Sequence, residues 1–118
     1  MKFLFISIFS MSIMSFGLVR TTDQILNTSL TITVRDDLGN LVSGAEVRLY
    51  ESEEDYQKEK NVAFSGVTDE KGLVKLKKLK AISYYAIVRK DDKDNSGGGE
   101  IIGKLEEGKF NKVTIVIQ

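Results

Sequence analysis

The stretch Leu30-Thr31-Ile32-Thr33-Val34-Arg35-Asp36-Asp37-Leu38-Gly39-Asn40 decides how the rest of the chain is read. Apolar and polar residues alternate from Leu30 to Arg35, which sets Leu30, Ile32 and Val34 on one face of a β-strand. Asp36 to Asn40 then form a turn signal, with Gly39 and Asn40 both tolerant of positive φ. The alternation returns at Ala45-Glu46-Val47-Arg48-Leu49-Tyr50, with Ala45, Val47 and Leu49 inward. Two half-buried strands joined by a tight corner argue for a layered sheet rather than a helical bundle.

Further strand signals follow at Val62–Thr68, Leu73–Leu76, Ser83–Arg89, Glu100–Leu105 and Lys112–Ile117, separated by turns such as Thr68-Asp69-Glu70-Lys71-Gly72. The charged segment from Glu51 to Lys60 breaks the pattern. It carries helix formers, Ser52 stands three residues before Asp55 as an N-cap pair, and residues 52–60 are expected as a short helical excursion docked by Tyr56. Seven short strands at this spacing predict an all-β, seven-stranded antiparallel sandwich.

Composition limits the chemistry available. The 118 residues hold 17 basic and 17 acidic groups, with no His, Cys, Pro or Trp. That excludes a thiolate nucleophile, an imidazole base and a thiolate or imidazole zinc site. The balanced charge argues against a nucleic-acid binder. The first residues form a separate unit: Lys2 is a minimal n-region, Phe3 to Phe16 an uncharged h-region, and Ser15 and Gly17 the small residues of a cleavage site. Residues 1–17 are therefore expected to be an export signal, 18–29 a linker and 30–118 the domain. The alternative is a retained anchor, although the apolar run is short for a bilayer span of about 20 residues. No Cys follows it, so a lipoprotein is not expected. The expected location is periplasmic or extracellular, as a soluble protein without a membrane span once the signal is cleaved.

The segment from Val34 to Tyr50, with Asp36, Gly39, Val42, Gly44, Ala45, Val47 and Leu49 at their spacings, resembles the opening of a carboxypeptidase regulatory-like domain. Thr68-Asp69-Glu70-Lys71-Gly72-Leu73-Val74 is similar to the second turn of that family, and Leu79 with Tyr84 to Val88 to its following strand. The resemblance runs from Leu30 to Gln118 and implies a Greek-key, prealbumin-like (transthyretin-like) or immunoglobulin-like sandwich from a bacterial envelope. It says little about function. Transthyretin-like hydrolases of ureide chemistry depend on histidines, and this chain has none. Related bacterial sandwich domains cross-link a first-strand Lys to a last-strand Asn. Here Arg35 holds the matching place, its guanidinium is no nucleophile, and Asn111 has no evident lysine partner.

Three other places invite chemistry. Asp92, Asp94 and Ser96 before Gly97 mimic the first half of a calcium loop, with Glu100 as a further oxygen ligand. The twelfth position of such a loop is Gly103 rather than Glu, so a solvated connection is the competing reading. Lys75, Lys77, Lys78 and Lys80 form a basic patch that suits an anionic polysaccharide or lipid headgroup. It equally suits a charged strand face that discourages edge pairing and is balanced by Glu51, Glu53, Glu54 and Asp55. Tyr84 and Tyr85 face opposite sides, so one ring is core and the other is available to stack on a sugar.

The expected function is a non-enzymatic accessory, binding or structural module of a bacterial cell envelope, with an envelope protein or polysaccharide as partner. The alternative is a calcium- or carbohydrate-binding domain using the Asp91–Glu100 loop. No cofactor other than calcium is implied, and the oligomeric state is open.

Overall fold

The computed structural model describes residues 27–118. The expected export signal and all of the linker before Asn27 lie outside the described residues. The elements are β1 (Ser29–Asp36), β2 (Glu46–Tyr50), α1 (Glu53–Lys58), β3 (Phe64–Val67), β4 (Leu73–Leu76), β5 (Tyr84–Lys90), β6 (Lys93–Asp94), β7 (Ile101–Ile102) and β8 (Phe110–Ile117). They form a three-stranded sheet of order β4-β1-β8 and a larger sheet of order β3-β2-β5, with β6 and β7 on the far edge of β5.

The alternation in the sequence builds the space between the sheets. Leu30, Ile32 and Val34 of β1 and Val47 and Leu49 of β2 are fully buried, as are Tyr84, Ala86 and Val88 of β5. Ile115 and Ile117 of β8 complete the contact, and these residues belong to one continuous core. Each buried Leu, Ile or Val side chain among them contributes about 1.5–3 kcal/mol of burial. An all-β sandwich is therefore present.

Two details depart from the sequence reading. Eight strands are described rather than seven, because the polar loop contributes the two-residue β6. In addition, β1 and β8 run parallel, in register from Ser29 opposite Phe110 to Asp36 opposite Ile117, whereas the other strand pairs are antiparallel. Alternation has period two in both kinds of pair, so it sets which face is buried but not the direction of the neighbour.

The far edge of β5 is built unusually. β7 pairs with Tyr84 and Tyr85 while β6 pairs with Arg89 and Lys90, which leaves a gap at Ala86–Val88. The buried Asn95 fills it as a strand would. Its Oδ1 accepts from the Val88 N–H at 3.0 Å and its Nδ2 donates to the Ala86 carbonyl at 3.0 Å. Asp94 and Gln118 also exchange backbone bonds of 3.2 and 2.9 Å, tying β6 of the larger sheet to the end of β8.

The corners use aspartates. Asp36 Oδ1 accepts from the Leu38 and Asn40 N–H groups, and Asp69 Oδ1 from those of Lys71 and Leu73. Those backbone bonds, to Asn40 and to Leu73 first, hold both carboxyls below the usual carboxylate range. Gly39 and Gly72 take φ of +89° and +74°.

The two glycines predict different costs. A Cβ at Gly39 meets nothing within 4 Å, whereas one at Gly72 meets the Val34 carbonyl oxygen at 3.0 Å and the Val42 nitrogen at 3.1 Å. Gly39→Ala is expected to lose about 1 kcal/mol from its backbone conformation alone, and Gly72→Ala about 2–4 kcal/mol once the clash is added. Urea unfolding of the two variants checks this, and equal losses would contradict it.

Candidate functional site

The most elaborated surface is the outer face of the larger sheet, where α1 crosses β2 and β5. The sequence sets this helix directly. Ser52 takes an extended conformation and its Oγ accepts from the Asp55 N–H at 3.1 Å, with Glu53, Glu54 and Asp55 in the first turn and Lys58 in the last. Tyr56 docks the helix, meeting the Tyr50 ring edge-on at a centroid distance of 6.2 Å and the Tyr85 ring at 5.6 Å. Tyr50 and Tyr85 are cross-strand neighbours, so three rings from three elements make one cluster.

The helix ends on Glu59, a non-glycine C-cap in the left-handed conformation at φ +51°. Its carboxylate is clamped by Arg89, with Nη1 to Oε1 at 3.0 Å and Nη2 to Oε2 at 2.8 Å, and Arg48 lies 3.9 Å away. The Arg89 hydrogen bond holds the Glu59 carboxyl below its ordinary value. Between this clamp and the β6 turn lies a recess of about 190 Å³, bounded by Tyr56, Gln57, Arg89, Asp94 and Ser96.

Of the expected loop ligands, Asp94, Ser96 and Glu100 are brought toward this recess. Asp94 Oδ1 accepts from the Ser96 N–H at 3.0 Å and its hydroxyl at 2.7 Å. Glu100 Oε2 accepts from the Tyr56 hydroxyl at 3.1 Å. Asp92 stays exposed, and among the described residues no three acidic side chains gather where they would hold a metal ion.

The perturbed groups in the recess are displaced away from neutrality. Hydrogen bonds from Ser96 hold the Asp94 carboxyl below the usual carboxylate range, while burial, then the Glu100 hydrogen bond, pushes the Tyr56 hydroxyl up. Asp94 stays ionised and Tyr56 stays protonated across the neutral range, the reverse of a poised acid–base pair.

The other singled-out residues are spread over the fold. Tyr84 is the inward ring, edge-on to Phe64 at 6.1 Å, and Tyr85 is the outward one, covered in part by Tyr56 rather than open to a sugar. Arg35 donates to the Gly39 carbonyl at 2.7 Å. Asn111, the second residue of β8, has its side chain occupied, donating to the Ser29 carbonyl at 3.0 Å and accepting from the Glu106 N–H of the preceding turn at 2.8 Å. Lys75 lies on the outer face of β4, on the smaller sheet, while the acids of α1 lie on the larger sheet. Among the described residues the expected balancing is thus limited to Lys80 with Glu51, at 3.2 Å. The Arg48–Glu59–Arg89 clamp escaped the sequence reading because its members are joined only by tertiary structure. Alternation did place Arg48 and Arg89 on the same outward face.

No protein-family model and no curated protein sequence matches the chain. Solved structures do. Similar chains are the Bacillus anthracis TIE protein (22% identity, TM-score 0.55), BcpA, the major pilin subunit of Bacillus cereus (21%, 0.52), and the group B streptococcus pilus 2b backbone protein (16%, 0.51). They share a fold with this chain. The matches cover 78%, 79% and 77% of this chain but only 17%, 30% and 40% of the respective partners. The chain thus has the β-sandwich architecture of a single module within these longer bacterial proteins, and the narrower carboxypeptidase regulatory-like assignment has no matching family model.

The clamp carries a pH signature. Because the Glu59 carboxyl is lowered in the folded state, its contribution to stability is complete above the ordinary value of 4.5 and is lost as pH falls through the lowered one. Glu59→Gln is expected to flatten that part of the acid limb when melting temperature is followed from pH 6 to pH 2. Parallel curves for the two proteins would show that the pair contributes nothing.

Proposed function

We propose that this chain is a non-enzymatic structural module of a bacterial cell envelope, built to carry load along its long axis and assembled with other envelope proteins. The observation that carries this reading is the parallel pairing of β1 with β8 over eight residue pairs. In such a pair the domain is entered at one end of the ladder and left at the other. Tension between the two ends loads the parallel hydrogen bonds together, in shear, rather than opening them one after another.

The shared fold adds to this reading, since two of the similar structures are a major pilin subunit and a pilus backbone protein. The motif likeness to carboxypeptidase regulatory-like domains points to the same kind of small accessory sandwich. The apolar N-terminal stretch supplies the expected route of export to a periplasmic or extracellular location. Among the described residues no helix is long and apolar enough to cross a membrane. The displaced protonation of Asp94 and Tyr56 also favours a role without catalysis.

Single-molecule stretching tests the load-bearing reading. Pulled between residues 27 and 118, the domain is expected to unfold at a markedly higher force than when pulled between cysteines placed at Ser43 and Gln118. Equal forces in the two directions would remove the basis for it. Fractionation of cells expressing the full chain checks location, with the protein expected outside the cytoplasm.

A further inference from the structure

The outer face of the smaller sheet carries a second recess, of about 260 Å³, at the end where the described chain begins. Its walls are Asn27, Ser29, Lys75, Lys77, Lys78 and Phe110. Strand register explains the grouping. Thr31 of β1 stands between Lys75 of β4 and Lys112 of β8, and one row further Ser29 stands beside Phe110, with Lys77 continuing β4 on the other side. The sheet therefore presents Lys75, Lys77 and Lys112 on one face, flanked by hydroxyls and an aromatic ring that is 68% exposed.

Three observations separate this place from an ordinary solvated lysine face. First, three lysines without an ion-pair partner among the described residues, Lys75, Lys77 and Lys78, converge on this one recess. In a chain with equal numbers of basic and acidic groups, such segregation is a local excess rather than a property of the whole surface. Second, Ser29 is only 5% exposed and its buried hydroxyl has no hydrogen-bond partner among the described residues. An unpaired buried hydroxyl is costly, and its neighbour Thr28 avoids that cost by accepting from the Gly108 N–H at 2.8 Å. Third, Lys78 adopts a left-handed backbone at φ +62°, between the exposed Lys77 and the buried Leu79. That conformation is unfavourable for a residue with a side chain, and it turns Lys78 into the same recess as Lys75 and Lys77.

We propose that this recess is a binding site for a phosphate-ester group. Three ammonium groups, one hydroxyl and one amide offer more donors than the two oxygens of a carboxylate can use, and they suit a tetrahedral oxyanion with several acceptor oxygens. Lysine binds such groups as a point charge and needs no planar partner. Ser29 supplies the short, desolvated hydrogen bond and Phe110 the apolar flank for the ester substituent. The group is carried either by a soluble phosphate ester or by the headgroup of an anionic lipid. The site does not depend on the load-bearing reading of β1 and β8.

The test uses the purified protein and two probes. Inorganic phosphate is titrated while backbone amide resonances are followed, and vesicles of phosphatidylglycerol or of phosphatidylcholine are tested by co-sedimentation. Phosphate is expected to shift amides of residues 27–31, 75–79 and 109–112, with affinity falling as sodium chloride rises. K75Q/K77Q/K78Q is expected to weaken binding by roughly tenfold or more, with the β-sheet circular dichroism unchanged. Ser29→Ala is expected to weaken it less, and K58Q/K60Q on the α1 side not at all. Sedimentation with phosphatidylglycerol vesicles alone assigns the lipid headgroup as source, and phosphate shifts without sedimentation assign a soluble ester. Shifts absent or equally spread over the α1 side, with no sedimentation, would overturn the site, as would undiminished binding by the triple lysine variant.

Discussion

Everything in this fold hangs on β1 being paired on both sides, and above all on its parallel contact with β8. The contact joins residues some 80 positions apart, as the Gly108–Thr28 and Asn111–Ser29 hydrogen bonds show. Closing so long a loop is entropically unfavourable, and no disulfide is available to reduce that cost in a chain without cysteine. The compensation is apolar: Leu30, Ile32 and Val34 are fully buried, and Ile115 and Ile117 nearly or wholly so. Around that ladder the polar staples are local. Thr28 accepts from Gly108 and Asn111 bonds back across the turn, so the first and last strands start together at one end of the sandwich.

The sandwich was legible in the sequence because alternation and turn chemistry are local. Period two sets Leu30, Ile32, Val34, Val47 and Leu49 inward, and all five are buried. Asp36 and Asp69 fall in turn signals and accept backbone N–H groups at those corners. Ser52 caps a helix because its partner is three residues away. What could not be read is non-local. The direction of β8 relative to β1 leaves no trace in either strand, since both directions demand the same alternation.

Asn95 shows the same limit on a smaller scale. In the sequence it is one polar residue among Asp91 to Gly99, indistinguishable from its solvated neighbours. In the fold it is 3% exposed and replaces the missing middle of an edge strand. A loop signal reports that regular pairing stops, not how the orphaned N–H and C=O groups of the neighbouring strand are then satisfied. Beside Asn95, Asp94 Oδ1 accepts from the Ser96 N–H and hydroxyl, and Glu100 Oε2 accepts from the Tyr56 hydroxyl.

The two outer faces of the sandwich treat charge in opposite ways, and this difference is what the sequence concealed most. Glu51, Glu53, Glu54 and Asp55 stand close enough in sequence to Lys75–Lys80 to suggest mutual neutralisation. Folding instead sends α1 to the larger sheet, where Glu59 meets Arg48 and Arg89, and Glu54 meets Lys58. The helix face packs its tyrosines and pairs its carboxylates, although the buried Tyr50 hydroxyl has no partner among the described residues. The lysines of β4 and the segment after it are left on the other side of the core, beside a buried hydroxyl with no partner among the described residues. A surface whose carboxylates meet its own cations is suited to holding the domain together. On the opposite surface Lys75, Lys77 and Lys78 have no such counter-charge among the described residues, and their chemistry is turned outward.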